Sequence, residues 1–338
     1  MAAAVQLLQL LSGYQASQVL YTITRLGLAE HLKSGPKSGE EVAAIAKTNP
    51  ENTVRVLRAA ASLGLLDRNP DTLAFSLNDL SNLFVGNEPS SMKWVILHDC
   101  SPYTINPWQN LDKAVTDGSY PHQVTHGMDC FTFYSKNPEA STEFNNAMTS
   151  LSTLFPVASA FTTHYSFKDH RHVVDIGGGH GALLSFILRS YPHLQGTAFD
   201  LPHVIEDAKG KLQENYNDIS SRFSFAPGSF FDAIPSGGDV YTLKYILHDW
   251  DDAKSIEILK NIAKVLPANG KIILLETLLR ETGDIHGSLL DLHMLVLNNA
   301  KERTEKQFQH LFQSAGLKIA QFLPLPPSTV HAIIGEKL

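Results

Sequence analysis

From about residue 170 onward, the chain alternates short apolar runs rich in β-forming residues with helical stretches. The apolar runs are HVVDIG, LQGTAFD, FSFAPG, DVYTLKYI, KIILLETL, LKIAQFLPL and TVHAIIGEKL. Helical stretches such as GALLSFILRSY and DAKSIEILKNIAKVL separate most of them. This alternation predicts a mostly parallel, doubly wound α/β sheet with helices on both faces. Because only PPS separates the last two runs, we expect the final strand to pair antiparallel.

The preceding part of the chain, up to about residue 165, has a helical pattern. In SGEEVAAIAKT, Ser38 can cap a helix and Glu41 follows three residues later, which is a capping-box signature. NPENTVRVLRAAASLGLLDR gathers apolar residues on one helical face and ends near Gly64, a residue typical of helix C-termini. NPDTLAFSLNDLSNLF is typical of a short hairpin or wing. Helices followed by a wing predict a winged-helix module.

Composition and charge argue against several classes of function. The net charge is −7 over 338 residues, whereas nucleic-acid binders normally carry a basic stripe. The helix that would read DNA offers only Arg55 and Arg58, so a packing or dimerisation role is favoured. The N-terminal segment predicts an amphipathic helix rather than a signal peptide, and no apolar run approaches the roughly 20 residues that span a bilayer. Cys100 and Cys130 lack metal-type spacing and predict two reduced thiols in a cytoplasmic protein.

A glycine-rich turn follows the first apolar run of the α/β region, in the sequence VVDIGGGHGA over residues 173–182. Glycines let a ligand approach the backbone, and the N–H groups of the following helix point toward it. The turn also satisfies the loose dinucleotide pattern G-x-G-x-x-A, which keeps an NAD enzyme as an alternative. Asp175 lies inside the strand end, where a carboxylate can organise the loop and face a cationic ligand. Asp200 ends the second run, placed to accept hydrogen bonds from two ribose hydroxyls of either cofactor.

The ordered motifs VDIGGGHG, FDLPHV, LKYILHDWDD and KERTEKQFQHLFQSAGL resemble those of small-molecule O-methyltransferases. That family includes plant caffeate and flavonoid enzymes and many bacterial natural-product enzymes, and the resemblance covers nearly the whole chain. It implies a class I Rossmann-like methyltransferase sheet with an N-terminal α-helical winged-helix dimerisation domain. The expected cofactor is S-adenosylmethionine, which leaves as S-adenosylhomocysteine, and the expected partners are a hydroxylated small molecule and a second copy of the chain.

The same resemblance implies that the chain is divided into three functional regions. Residues 1–90 correspond to the dimerisation domain, and 91–165 to a helical linker that contributes to the substrate pocket. Residues 166–338 correspond to the catalytic domain that binds S-adenosylmethionine.

Cofactor-binding residues follow position by position from the family motifs. A glycine backbone lies against the methionine part of the cofactor, an acid binds the ribose and a leucine lies beside the adenine. The family commonly has Gly-Asp-Met or Gly-Asp-Phe after the third strand, but this chain has Gly-Ser-Phe, so a hydroxyl replaces the acid that meets the adenine amino group. The predicted cofactor residues are Asp175, Gly177, Gly179, Asp200, Leu201, Ser229, Phe230 and Lys244.

His248 is the predicted general base. It follows the fourth strand, at the carboxyl edge where such sheets bind ligands. A free histidine with a pKa of about 6.5 faces a phenol of about 10, which leaves roughly 5 kcal/mol uphill. We therefore expect either proton removal coupled to methyl transfer or a partner carboxylate that makes the imidazole more basic.

Glu276 and Glu302 match the two family glutamates that flank the histidine, and either can hold its N–H. For Glu302 the alternative is a cap on the helix that opens at Thr304. Asp249 either contacts substrate or caps the next helix together with Asp251. No metal site is predicted, because the other histidines show no geometry that would support one: His170 and His172 are one residue apart but are expected on an exposed strand entry.

The substrate pocket is predicted to be largely apolar and to suit a flat aromatic or polyketide-like hydroxyl compound. The segment between Met294 and Glu302 is one residue shorter than the plant pattern and lacks its Pro-Gly-Gly, which weakens the case for phenylpropanoid specificity. The predicted substrate residues are Phe131, Met148, Asp249, Asp291, Met294 and Asn298. Two other functions stay open: a cyclase, decarboxylase or hydroxylase on the same fold, and a winged-helix regulator with a ligand-sensing domain.

Overall fold

The computed structural model describes residues 2–88 and 90–338, which cluster into two compact units. The first unit comprises the described part of residues 1–112 together with 123–155. The second comprises 113–122 and 156–338. Residues 91–165, predicted as one helical segment, are thus divided between the two units.

Among the described residues up to 164, helices dominate and a two-stranded hairpin interrupts them. The helices are α1 (Ala2–Leu11), α2 (Gly13–Arg25), α3 (Gly39–Ala46), α4 (Pro50–Ser62), α5 (Asp79–Asn82), α6 (Lys93–Asp99), α7 (Pro102–Trp108), α8 (Leu111–Asp117), α9 (Pro121–His126), α10 (Cys130–Lys136), α11 (Pro138–Leu154) and α12 (Val157–His164). The hairpin consists of β1 (Asp67–Arg68) paired antiparallel with β2 (Phe75–Ser76).

Local signals explain where several of these helices begin and end. The predicted capping box is present, because the Ser38 hydroxyl accepts from the Glu41 N–H and the Glu41 carboxylate accepts from the Ser38 N–H. Gly64 follows α4 with φ of +74°, as expected of a helix C-terminus. The predicted amphipathic helix at the N-terminus is broken at Ser12 into α1 and α2. Ser12 does not cap α2 with its side chain, since its hydroxyl donates back to the Leu8 carbonyl, but Gly13 weakens the helix interior at this point.

The second unit contains the sheet that the alternating pattern predicts. Its strands are β3 (His172–Ile176), β4 (Gln195–Asp200), β5 (Phe223–Pro227), β6 (Val240–Lys244), β7 (Lys271–Thr277), β8 (Leu317–Pro324) and β9 (Val330–Lys337). Its remaining helices are α13 (Ala182–Ser190), α14 (Pro202–Tyr216), α15 (Asp252–Val265), α16 (Ile285–Asn298) and α17 (Glu305–Ser314).

The strand order β5-β4-β3-β6-β7-β9-β8 determines where a ligand can bind. The five strands from β5 to β7 are parallel, and β9 pairs antiparallel with both β7 and β8. The predicted antiparallel end is therefore confirmed. Chain connections leave β3 and β6 in opposite directions along the sheet, so the switch point lies between them. In such sheets the crevice at the carboxyl ends of these strands is the ligand site.

Apolar side chains cover both faces of this sheet. Val174 on β3 belongs to the cluster that packs against α15 and α17, and its neighbour Val173 belongs to the cluster that packs against α13. Burial on both faces explains why the strands form continuous apolar runs in the sequence. Among the helices of the described residues, none is both long and apolar enough to cross a membrane.

Candidate active site

The glycine-rich loop between β3 and α13 is tied to the end of β4. The Gly177 N–H donates to the Phe199 carbonyl at 2.8 Å, and the Gly179 N–H donates to Asp200 Oδ2 at 2.8 Å. The other oxygen of Asp200 accepts from the Leu201 N–H at 2.7 Å. A carboxylate has about four acceptor sites. The predicted ribose acid therefore organises the loop and keeps acceptor capacity for hydroxyl groups.

Two glycines of this loop have different surroundings. Both have positive φ, +55° at Gly179 and +88° at Gly181. A Cβ on Gly181 would meet the Phe223 ring at 2.2 Å, so packing within the protein requires that glycine. A Cβ on Gly179 would meet no protein atom within 4 Å. The loop thus presents bare backbone to open space, which fits a cofactor that lies against it.

Asp175, which is buried, and Lys244, which is half-buried, lie at the carboxyl ends of neighbouring strands. Asp175 Oδ1 accepts from the Thr242 hydroxyl at 2.7 Å. Burial raises the pKa of Asp175 to about 7, although the Thr242 hydrogen bond and the charge of Lys244 oppose this. Burial lowers the pKa of Lys244, and the carboxylates of Asp175 and Glu276 oppose that shift. A buried carboxylate of this kind suits a cationic ligand.

The predicted adenine contacts surround the ends of β4 and β5. Leu201 is 45% exposed, so its apolar side chain is accessible beside Asp200. The Ser229 hydroxyl accepts from the Phe231 N–H at 3.2 Å, which occupies part of its acceptor capacity. Phe230 packs edge-on against Trp250, with ring centroids 5.9 Å apart. These positions fit an adenine site in which a hydroxyl stands where the family commonly has an acid.

His248 lies in a short 3-10 turn, Leu247–Asp249, that follows β6. Its Nδ1 is 2.9 Å from Glu302 Oε1, and its Nε2 is 3.6 Å from Asp249 Oδ1. A carboxylate can only accept, so in the neutral imidazole the short contact assigns the proton to Nδ1 and leaves a lone pair on Nε2. The arrangement can therefore accept a proton at Nε2.

The two predicted glutamates have different positions in this geometry. Glu302 pairs with the imidazole, and the helix cap that was its alternative is made instead by Thr304 with Gln307. Glu276 Oε1 accepts from the backbone N–H groups of Ile246 and Leu247 at 3.1 and 2.9 Å. Glu276 therefore holds the main chain of the turn, while Glu302 holds its histidine.

Three carboxylates determine the basicity of the imidazole. Burial lowers the pKa of His248, but Asp249, Glu302 and Glu276 together raise it to about 10. This is the partner-carboxylate alternative expected from the mismatch between histidine and phenol. Burial also raises the pKa of Glu276 to about 7, with His248 opposing that shift.

Within the described residues, one cluster could hold a divalent cation. His248, Glu276 and Glu302 each place a ligand atom within 4.8 Å of the others. The second oxygens of the two glutamates, Glu276 Oε2 and Glu302 Oε2, are buried without a hydrogen-bond partner. The short contact to Glu302, however, already occupies the histidine Nδ1. The absence of a metal stays a prediction.

The structure connects several predicted substrate residues to the catalytic turn. Asn298 Nδ2 donates to Asp249 Oδ1 at 2.6 Å, and the buried Met294 lies one helical turn before Asn298. Asp291 Oδ1 accepts from the Glu302 N–H at 2.9 Å. The helix cap that was the alternative for Asp249 is made by Asp251, whose Oδ1 accepts from the Lys254 N–H.

Phe131 and Met148 lie in the first unit, on α10 and α11. Their exposed fractions are 44% and 38%. The other four predicted substrate residues lie in the second unit. The predicted substrate set therefore contains residues of both units.

Two residues of the turn's surroundings were missed from the sequence. Tyr245 adopts φ of +53°, and its ring lies 5.3 Å from the imidazole of His248. Arg303 is fully buried and donates to the Leu247 carbonyl at 2.7 Å. An arginine or tyrosine in a motif gives no sign of burial or of left-handed backbone, so local patterns could not find them.

Comparison with known proteins identifies the family. Residues 108–318 match the O-methyltransferase domain, and residues 8–87 match the O-methyltransferase dimerisation domain. The phenazine O-methyltransferase PhzM of Lysobacter antibioticus is 38% identical over 94% of this chain and 92% of that protein.

Solved structures agree with these matches. The mitomycin 7-O-methyltransferase MmcR superposes with a TM-score of 0.93 at 29% identity, over 100% of this chain and 98% of that one. Human N-acetylserotonin methyltransferase, solved with S-adenosylmethionine, gives 0.88 at 27% identity over 100% and 98%. These matches do not support the NAD enzyme or the DNA-binding regulator. The dimerisation domain supports a homodimer. The chain belongs to the O-methyltransferase family, and it is an S-adenosylmethionine-dependent enzyme.

Proposed function

We propose that the protein methylates a hydroxyl oxygen of a small aromatic or polyketide-like secondary metabolite, with His248 as the general base. The observation that carries this proposal is the 2.9 Å contact between His248 Nδ1 and Glu302 Oε1. It orients the imidazole, assigns its tautomer and raises its affinity for a proton. The same three requirements apply to any histidine that must deprotonate a hydroxyl group.

The chain's own residues have to position the acceptor and remove its proton. When bound, S-adenosylmethionine supplies an electrophilic methyl group on a positively charged sulfur. Nε2 of His248 takes the hydroxyl proton, and the resulting imidazolium is stabilised by Glu302 at Nδ1 and by Asp249 beside Nε2. Because its pKa is raised, His248 is closer in basicity to a phenol than a free imidazole is, which reduces the uphill cost of proton removal.

The proposed cofactor contacts are those of the glycine loop and its neighbours. Gly177 and Gly179 offer backbone to the methionine part, and Asp200 offers its remaining acceptor sites to the ribose hydroxyls. Leu201 and Phe230 are proposed to cover the adenine. The hydroxyl of Ser229 is proposed to contact the adenine amino group. Asp175 and Lys244 are proposed to provide ionisable groups at the base of the cofactor site.

The substrate class is proposed from the pocket side chains and the relatives. Met294 offers an apolar, polarisable surface, and Asp249 with Asn298 offers a polar pair beside the base. Asp291 is proposed to act beside them, and Phe131 and Met148 stay proposed substrate contacts on the sequence argument. Relatives named for phenazine and mitomycin suggest a multi-ring aromatic acceptor.

We also propose the functional division of the chain and its cellular location. Residues 1–90 are assigned to dimerisation, 91–165 to the substrate pocket and 166–338 to cofactor binding and catalysis. A cytoplasmic location is supported by Cys100 and Cys130, which do not form a disulfide with each other.

The test is transfer of a labelled methyl group from S-adenosylmethionine to a panel of hydroxylated aromatics that includes hydroxyphenazines and naphthols. Activity of the wild type is compared with His248→Gln and with His310→Gln, a matched change of an exposed histidine on α17. Loss of a general base typically costs about 10²–10⁴-fold. We expect that loss in His248→Gln, with calorimetric affinity for S-adenosylmethionine unchanged, and none in His310→Gln.

Two outcomes would contradict the proposal. Full activity in His248→Gln would remove the histidine from the chemistry. Conversion of a substrate without incorporation of label would indicate a non-methylating reaction on the same fold.

A further inference from the structure

Arg303 is the bulkiest fully buried side chain among the described residues. Each of its guanidinium nitrogens donates within the protein. Nε donates to Asp252 Oδ1 at 2.9 Å, Nη1 to the Leu247 carbonyl at 2.7 Å, and Nη2 to the Trp250 carbonyl at 2.6 Å. Nη2 also lies 3.2 Å from the Ser255 hydroxyl. Burying a guanidinium costs desolvation free energy, which these hydrogen bonds offset. The bonds also fix the position of the groups that accept them.

The two carbonyls that Arg303 holds bracket the catalytic turn. Leu247 immediately precedes His248, and Trp250 follows Asp249. The turn's own backbone bonds are long, at 3.2 Å for both Asp249 N–H to Ile246 carbonyl and Trp250 N–H to Leu247 carbonyl. The guanidinium is planar and rigid, so its two terminal nitrogens set the separation of the carbonyls on either side of the histidine.

Arg303 is also the chain neighbour of the carboxylate that pairs with the imidazole. The segment 301–303 contacts the turn and the start of α15 through three successive side chains. Lys301 donates to Asp252 Oδ2 at 2.7 Å, Glu302 pairs with His248, and Arg303 holds the turn's carbonyls. The carbonyl of Arg303 accepts from Leu279, just beyond β7, which anchors the segment to the sheet.

We propose that Arg303 is a positioning residue that keeps the imidazole of His248 in register with the carboxylate of Glu302. Its rigid guanidinium holds the backbone carbonyls on either side of His248, and its own main chain directly follows that of Glu302. This inference rests on the proposed role of His248 as the base. Arg303 itself is sealed from solvent and is not proposed to touch substrate or cofactor.

The variants that test this are Arg303→Lys and Asp252→Asn. A lysine ammonium is a single point donor and cannot span both carbonyls as the guanidinium does. Asp252 is partly exposed and holds both Arg303 and Lys301, so Asp252→Asn loosens the same segment while an amide oxygen can still accept from Arg303. The matched control is Arg189→Lys, an exposed arginine of the same unit that pairs with Asp218 at 2.8 Å.

Three quantities are measured: kcat and KM, the pH profile of kcat/KM, and the pKa of His248 itself. The pKa is read by NMR titration of protein labelled with ¹⁵N-histidine, and the His248 signal among the 15 histidines is identified by its loss in His248→Gln. Displacing a catalytic group by about 1 Å can cost about 10²-fold in rate. We expect Arg303→Lys to lose about 10–100-fold in kcat. Its KM for S-adenosylmethionine should be nearly unchanged, and the pKa of His248 should be lower because the Glu302 contact is loosened.

In Asp252→Asn we expect a smaller loss in kcat and a decrease in the pKa of His248. In Arg189→Lys we expect neither kcat nor this pKa to change. An unchanged His248 pKa and pH profile in Asp252→Asn and in folded Arg303→Lys, whatever the melting temperature does, would overturn the proposal. If Arg303→Lys does not fold, Asp252→Asn decides alone. The imidazole titration does not depend on His248 being the base, so failure of this inference is distinguishable from failure of the proposed function.

Discussion

Replacing Glu302 by glutamine preserves the shape of the side chain and removes its negative charge. In the wild type, Glu302 Oε1 lies 2.9 Å from His248 Nδ1, and the glutamate side chain is fully buried. A hydrogen bond to a charged partner contributes roughly 1.5–3 kcal/mol, and one pKa unit corresponds to about 1.4 kcal/mol. We therefore expect Glu302→Gln to lower the pKa of His248 by about 1–2 units.

The sign of the effect on activity follows from the form of His248 that reacts. Only the neutral imidazole accepts a proton, so kcat/KM rises as pH increases through the pKa of His248 in the free enzyme. Burial lowers that pKa, and the surrounding carboxylates raise it by more, to about 10. In Glu302→Gln the rise should begin at lower pH. The plateau should fall by roughly 10–150-fold, since the imidazolium loses about 1.5–3 kcal/mol of stabilisation.

The assay is the pH profile of methyl transfer, with Glu281→Gln as the control because Glu281 is exposed. A lower plateau without any shift of the midpoint would refute the reasoning. It would show that Glu302 contributes to catalysis without changing the basicity of His248.

Three further predictions concern the cofactor loop and metal dependence. Burial raises the pKa of Asp175 to about 7, so its charged form costs stability increasingly between about pH 4 and 7. Asp175→Asn should therefore raise the melting temperature at pH 8 while weakening S-adenosylmethionine binding, and an unchanged melting temperature would contradict the burial argument. Gly179→Ala should weaken cofactor binding in calorimetry with a cost of only about 1–2 kcal/mol in stability. Gly181→Ala should lower the melting temperature much more because its Cβ would clash with Phe223; equal effects of the two changes on stability would oppose this. Dialysis against EDTA should leave kcat unchanged because Nδ1 of His248 is held by a carboxylate; activity restored only by a divalent cation would show a metal site.

Much of the second unit could be predicted from the sequence because its signals are local. A parallel strand that is buried on both faces appears in the sequence as a continuous apolar run. Helical connections between such runs restrict the number of possible sheet topologies. The same holds in the first unit, where the Ser38 capping box and the left-handed Gly64 depend on residues within one or two turns of each other. Motif order then located His248 and its two flanking glutamates by resemblance.

The sequence could not assign different tasks to those glutamates. Both lie beside the histidine in the family pattern, yet Glu302 pairs with the ring and Glu276 with backbone N–H groups of the preceding residues. The same holds for Asp249, which pairs with Asn298 at the end of another helix. These choices depend on where a side chain points after distant segments pack.

What the sequence by itself determined is the alternating α/β architecture, the glycine loop at its first strand and the set of residues available for chemistry. The tertiary structure alone decided which of these residues touch. His248 and Glu302 are separated by 54 positions in the chain, and the Arg303 contact to Leu247 spans 56. Local propensities reach only a few residues along a chain, whereas the basicity of an imidazole depends on charges a few ångströms away. Only the folding of β6, β7 and the segment 301–303 onto one another brings those charges there.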